Sequence, residues 1–588
     1  MRSLRQVFRP STGDTQPASK SIDLQSPSPV RRAWNTVSTI GAGSVADIDA
    51  RGVVFPRSRP VSVEVWFGSG DRWVQGGADA GVRQSRIVGL PIIETRQRVG
   101  DGDVVQTTWA DESGDGRGRV IVQLQNETDV AVVAAVVVRP QRILGEPGVI
   151  TEARVAGNLI VVDRLPVVDL TRAPGDVAVA IDEGSALLDL LRRSNTALVG
   201  HDQLTDQDGR ASIAAMIPLT PGLDRQIHVL DGREASSVAA APLDRVVAGW
   251  RSHLDAAMEI DLPRWPKHLP TSLLSSLIGA VADDGPPLGS ESWRRQDDAM
   301  IAVALGDAGV HWAAAAVADR LLADVADGAV PRADWPTVAA AMCAIVQSSV
   351  GDEVIARHGD TAVSIAGEVL TNAAGTSLDR PLVEVVRIAH GAEAASDASS
   401  IVGNGPNAAT LVELGRLGVG LGSGAKELAA ALDATTKPLV VTDIALSMVA
   451  SAQSERAFEA VVPVRALAGS TWSWNDDGCG DSPHARAAIA VGLRSLCVAS
   501  FEDVIDMLPG MSSSWLGQSV RVSRVQTPAG PLSFALRWHG ARPALLWEIV
   551  GDPQPGFTLT CSSIDPSFRT TDHTGEALLQ EPAHLVGT

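Results

Sequence analysis

The chain contains no tyrosine, and aromatic residues make up only 4% of its 588 positions. Any local gathering of tryptophan therefore stands out against the rest of the chain. Cysteine is also rare: Cys343, Cys479, Cys497 and Cys561 are scattered and form no C-x-x-C pair. That spacing implies neither a disulfide framework nor a zinc knuckle. No apolar run reaches the length of a membrane span; the AVVAAVVV run from Ala131 falls far short of the ~20 residues required. The opening residues, MRSLRQVFRPSTGDTQ, are basic but lack the apolar centre of a secretory signal, so the cytoplasm is the expected compartment. Positive charge is in deficit, with 49 Lys and Arg against 69 Asp and Glu, for a net charge of −20. That field disfavours nucleic acid and anionic membrane as partners and suits a neutral, polyhydroxylated ligand better. No G-x-S-x-G elbow is present, and the glycine-rich GVGLGSGAK from Gly418 lacks the Lys-Ser/Thr step of a phosphate loop. His484 has only Cys479 as a nearby soft ligand, so neither a metal nor a cofactor is expected.

What is there divides the chain into blocks. At this length two to four domains are expected, and a hydrophobic share of 45% is that of a globular protein. Residues 1–30 are rich in Ser, Pro, Gln and Arg without periodicity and read as a disordered tail. Residues 31–243 carry short Val/Ile/Thr-rich runs such as SVEVWFG, GRVIVQLQN and TDVAVVAAVVVRP, separated by Gly, Asp and Asn, which predicts an antiparallel β-sandwich. One short helical piece, EGSALLDLLRRS, interrupts it, and DGD at Asp101–Asp103 reads as a hairpin turn. Residues 244–499 turn Ala-rich, with apolar positions at helical spacing. About a dozen helical segments joined by short Gly/Asp/Pro loops predict an (α/α) array of helical hairpins closing into a toroid. His311 and Trp312 are expected as packing residues within one such helix. Residues 500–563 alternate apolar and polar positions and read as a small antiparallel β domain, and 564–588 as a loose tail. The predicted fold class is thus multidomain β plus α: sandwich, helical toroid, small C-terminal β domain.

The richest stretch is TWSWNDDGCGDSPHARAAIAV, from Thr471 to Val491. It gathers Trp472, Trp474, Asp476, Asp477, Asp481 and His484 in a Gly-punctuated loop before a small-residue helix beginning near Pro483. Flat indole faces stack on sugar rings or anchor loops, and clustered carboxylates bind hydroxyls or move protons. A capped helix start would account for Asp481 to Pro483 but not for the tryptophan pair. A second cluster, ESWRRQDDAM, sets Trp293, Arg295 and Asp297 at another helix start. There Arg295 and Asp297 are candidates to grip hydroxyls with Trp293 stacking; alternatively, Asp297 and Asp298 only stabilise the helix N-terminus.

Residues 291–309 (ESWRRQDDAMIAVALGDAG), the late TWSWNDDGCGDSPHARAA loop, PLSFALRWHGARPALLWEI and the opening RRAWNTVSTIGAGSVADIDARGVVFP carry a family likeness. Together they resemble bacterial proteins with six-hairpin (α/α)6-barrel glycosidase domains, of the glucoamylase, glycoside phosphorylase and rhamnosidase kind, over about residues 31–550. The resemblance implies a carbohydrate-active protein acting on or binding glycosidic substrates, without metal or cofactor. An inverting hydrolase is the first reading, and a catalytically inactive carbohydrate-binding or scaffold relative the alternative. Glycoside hydrolysis needs two carboxylates across the bond. The candidates are Asp297, Asp481, Glu353 and Glu393, with Glu384 and Asp360 nearby in plain helical surroundings. Trp293, Arg295, Trp472, Trp474 and His484 are the candidate substrate-binding residues.

Overall fold

The computed structural model describes residues 34–582, apart from short internal stretches, residues 283–294, and residues 402–482, of which only Thr410, Leu414, Leu417 and Val419 are described. The N-terminal block is two facing antiparallel sheets. The first has eight strands and runs, edge to edge, Trp34–Thr39, Gly43–Asp49, Val54–Pro56, Ser62–Ser69, Val132–Arg139, Ala211–Leu219, Asp176–Ile181, with Arg72–Val74 paired beside Ser62–Ser69. The second has nine strands, centred on Ile92–Val99, Gly102–Glu112, Gly118–Asn126 and Asp224–Val229. The turn between Val99 and Gly102 is the hairpin expected at Asp101–Asp103.

The AVVAAVVV run shows why a strand here can be apolar on both faces. Val132, Ala134, Val136 and Val138 point into the sandwich, while Val133, Ala135 and Val137 pack under helix α1 (Ala186–Arg193) with Leu187, Leu188 and Leu191. A strand covered on both sides loses its alternation and reads as a continuous apolar run.

The second sheet uses the opposite alternation to join the helical block. Ile92, Trp109 and Ile121 are direct cross-strand neighbours on one row, all fully buried, and all belong to the core of the helices rather than of the sandwich. Their neighbours Ile93, Ala110, Val120 and Val122 face inward. Each of these side chains stabilises the junction by about 1.5–3 kcal/mol through removal from water.

The helices after α1 are α2 (Leu243–Leu254), α3 (Leu269–Val281), α4 (Arg295–Asp307), α5 (His311–Ala326), α6 (Trp335–Ile345), α7 (Ser349–Arg357), α8 (Gly359–Asn372), α9 (Asp379–His390), α10 (Ala392–Ser399) and, after the stretch outside the described residues, α11 (Pro483–Cys497). Consecutive helices pack on one another, α4 on α5, α5 on α6, α8 on α9 and α9 on α10. The alanine-rich faces allow close approach: a Cβ on Gly306 of α4 would lie 2.4 Å from the Ala344 carbonyl oxygen of α6. The last helix, α11, returns to pack on α3 and α4. No described helix is long and apolar enough to cross a membrane.

The C-terminal block differs from the sequence expectation in three respects. Its five-stranded sheet recruits Glu259–Asp261, from between α2 and α3, as an edge strand paired to Val520–Val525. Its four-stranded sheet is not wholly antiparallel, because Val504–Met507 runs parallel to Thr558–Cys561. Order also continues past Ser563: Asp565–Thr570 and Thr574–Leu578 are strands, the latter paired to Arg542–Ile549. The expected loose tail from 564 is thus folded through Leu578. Polar side chains hide this, since Asp565 earns its place by accepting bonds from Ser567 and from the Gln580 amide rather than by apolar burial.

Candidate functional site

The two tryptophan-bearing segments lead into helices that touch. Helix α4 begins at Arg295, so Arg295 and Asp297 stand on its first turn, while Trp293 lies outside the described residues. Asp298, one position on, is 8% exposed. Helix α11 begins at Pro483, as its sequence predicts, and places half-buried His484 on its first turn. Trp472, Trp474, Asp476, Asp477 and Asp481 lie outside the described residues. One turn into α11, Arg486 is fully buried and donates from Nη1 to the Ser272 carbonyl and hydroxyl, both at 3.2 Å, fixing α11 to α3. At the far end Arg494 Nε lies 3.5 Å from Asp307 Oδ2, the last residue of α4. Two helices in contact that end together also start on one side, so the first turns of α4 and α11 share one end of the helical layer.

The mid-block carboxylates are elsewhere. Glu353 is exposed on α7, and Glu393 is exposed in the first turn of α10. Glu384 pairs with Arg387 on its own helix, its Oε2 accepting from Nε at 2.7 Å. Asp360 is fully exposed, 3.0 Å from His390 Nε2. These are the settings of solvated helix carboxylates, and among the described residues no hydrogen bond or ion pair joins Glu353 or Glu393 to another candidate.

A polar site that the sequence did not suggest lies at the other end of α4. A cavity of about 120 Å³ opens between the α4–α5 turn, α6, the start of α9 and the C-terminal β block. Asp307, His311, Cys343, Arg494, Ser500 and Gln526 stand in its lining, with the hydroxyl residues Ser377 and Thr527 beside them. Gly309, with φ +81°, makes the α4–α5 turn, and Gln526 Nε2 passes 3.0 Å from where its Cβ would be. His311 is therefore the first residue of α5, not a mid-helix packing residue, and Trp312 beside it is 38% exposed, edge-on to His253. Arg494 is held by donating to the carbonyls of Val498 and Gln526, each at 3.2 Å.

The electrostatics of this cavity follow from burial. Burial pushes the Asp307 carboxyl above its ordinary range, with Arg494 pulling the other way. Burial lowers His311 toward the neutral imidazole, against a hydrogen bond to Gln526. The Cys343 thiol is pushed up by burial and by Asp379, so it stays un-ionised. Three polar atoms around the cavity, Arg494 Nε, His311 Nδ1 and Ser500 Oγ, have no hydrogen-bond partner among the described residues. In the sequence, DAGVHW reads as the middle of one continuous helical run, whereas the structure breaks it into α4 and α5; the partners from residues 494–526 are remote and gave no local signal.

No family model matches the chain. No curated protein matches it either. Among solved structures it is similar to one provisionally described as a kojibiose phosphorylase from the human microbiome, at 6% identity and a TM-score of 0.42, covering 91% of this chain and 89% of that one. The likeness spans nearly the full length of both chains and is coarse.

Proposed function

We propose that the chain is a carbohydrate-active protein whose site lies where the first turns of α4 and α11 share one end of the helical layer. The observation that carries this reading is the packing of α11 on α4, with Arg494 beside Asp307. It sets the first turn of α4, with Arg295 and Asp297, and the first turn of α11, with His484, at neighbouring helix starts, although they are far apart in sequence. In this reading the helical block closes as a toroid. The indoles stack on a sugar ring, Arg295 and His484 bind hydroxyls, and Asp297 and Asp481 are the acid and base candidates. An inverting hydrolase requires its two carboxyls about 6.5–9.5 Å apart.

A second reading, a non-hydrolytic carbohydrate binder, is favoured by one observation. Glu353, Glu384, Glu393 and Asp360 are surface carboxylates, whereas a glycosidic acid needs an enclosed setting that raises its pKa. One experiment separates the readings. Binding to a broad panel of α- and β-glycans is measured, followed by cleavage of every binder with and without inorganic phosphate. Cleavage supports the enzyme and its absence in a binder supports the second reading. A flat binding response across the panel removes both.

A further inference from the structure

The cavity at the C-terminal end of α4 sits about 18 Å along the helix from Arg295, at 1.5 Å per residue. It is therefore separate from the proposed sugar site and does not rest on that reading. Asp307 is half-buried, with 22% of its side chain accessible on the cavity side. No described residue donates a hydrogen bond to its carboxylate. Arg494, 10% exposed, approaches only to 3.5 Å, and its Nε makes no hydrogen bond. A half-buried carboxylate with no described donor, beside a guanidinium whose Nε has no described acceptor, leaves hydrogen-bonding capacity open toward the cavity.

The chemistry of what completes it is constrained. The carboxylate and guanidinium cancel, His311 is held neutral and the Cys343 thiol un-ionised. An anion would meet Asp307 and a cation would meet Arg494. A hydroxyl group donates to a carboxylate and accepts from an N–H at once, so adjacent hydroxyls suit this lining. Ala340, Ala344, Leu378 and Pro381 supply apolar walls for a carbon chain. The volume of about 120 Å³ suits a small compound better than a full sugar chain.

We propose that the cavity lined by Asp307, Arg494, His311 and Gln526 binds a small neutral polyol, with adjacent hydroxyls bridging the Asp307 carboxylate and the Arg494 guanidinium. Erythritol and glycerol are the probes. Saturation-transfer NMR on the full chain, titrated with each, reports saturable binding apart from the non-saturating stabilisation that polyols give any protein. Asp307→Asn keeps the shape and removes the charge. Ala344→Leu leaves the ion pair intact and fills the space, with Ala344→Val as a milder filling if the leucine variant does not fold. The expected result is saturable binding by the wild type, weakened about tenfold by Asp307→Asn, as for loss of a hydrogen bond to a charged group, and abolished by the filling variant. Absence of saturable binding in the wild type, which would mean the cavity holds only water, overturns the proposal. So does binding retained by either variant at wild-type strength. Trp472→Ala should leave erythritol binding unchanged; loss there would place the polyol at the sugar-site segment and also overturn it.

Discussion

Asp307 closes α4 and Arg494 lies in the last turn of α11, and their side chains meet 3.5 Å apart at the wall of a cavity. This single contact ties an early helix to the last one and sets a half-buried carboxylate at a helix C-terminus, the end that disfavours negative charge. Its pH behaviour follows. Burial raises the Asp307 carboxyl above its ordinary value of 3.8, with Arg494 opposing. The group's contribution to stability is complete below that ordinary value and is lost as the pH climbs through the raised folded value. Asp307→Asn cannot titrate, so its melting temperature should gain on the wild type as the pH rises from about 4 through the raised folded value. Parallel melting curves across that range would show that Asp307 is not perturbed.

Trp109 is the keystone between sandwich and helices, fully buried, with an indole N–H that has no partner among the described residues. Trp109→Ala should cost about 3–5 kcal/mol in denaturant unfolding, as large aromatic truncations in cores do. Trp109→Phe removes the unpaired N–H along with part of the ring and should cost clearly less. Equal losses would mean that the N–H is satisfied.

Arg486 is among the largest fully buried side chains, and it joins α11 to Ser272 of α3. Arg486→Ala leaves a cavity and strips the Ser272 carbonyl and hydroxyl of a donor, an expected loss of about 3 kcal/mol or more. Chemical denaturation measures it, and a loss below about 1 kcal/mol would show that α11 is not held there.

The thiols should be inert in the native state. Burial pushes Cys497 up to about 12, and burial with Asp506 and Asp565 raises Cys561 as well. Ellman's reagent at about pH 8 should leave both unmodified until denaturant is added, because the thiolate is the reactive form. Rapid labelling of either, mapped by mass spectrometry, would contradict the packing around them.

For the proposed sugar site, Asp481→Asn should weaken glycan binding or turnover with little change in melting temperature. Trp472→Ala should weaken binding by about 1 kcal/mol or more through loss of a stacking face. The reverse pattern, Trp472→Ala unfolding the protein and Asp481→Asn leaving binding intact, would make the loop structural.

The amino-acid sequence by itself determined the element types. Turn-punctuated Val/Ile/Thr runs made strands, and helical spacing made α2, α3, α6, α8 and the start of α11 at Pro483, because side-chain period and turn chemistry are local properties; α7 gave no such signal, and the breaks between α4 and α5 and between α9 and α10 were not legible. The tertiary structure alone decided what those elements meet. Glu259–Asp261 joins a sheet whose other strands lie beyond residue 519, and Asp565–Thr570 is held by polar bonds that no hydrophobic pattern announces. The Asp307 cavity exists only because α4, α5, α6 and α11 converge on the C-terminal sheet. His311 read as an ordinary packing residue, since nothing within its own helix signals that Arg494 and Gln526 stand across from it. Burial and partner distance are properties of three-dimensional packing, and a one-dimensional pattern carries them only where the partners are neighbours along the chain.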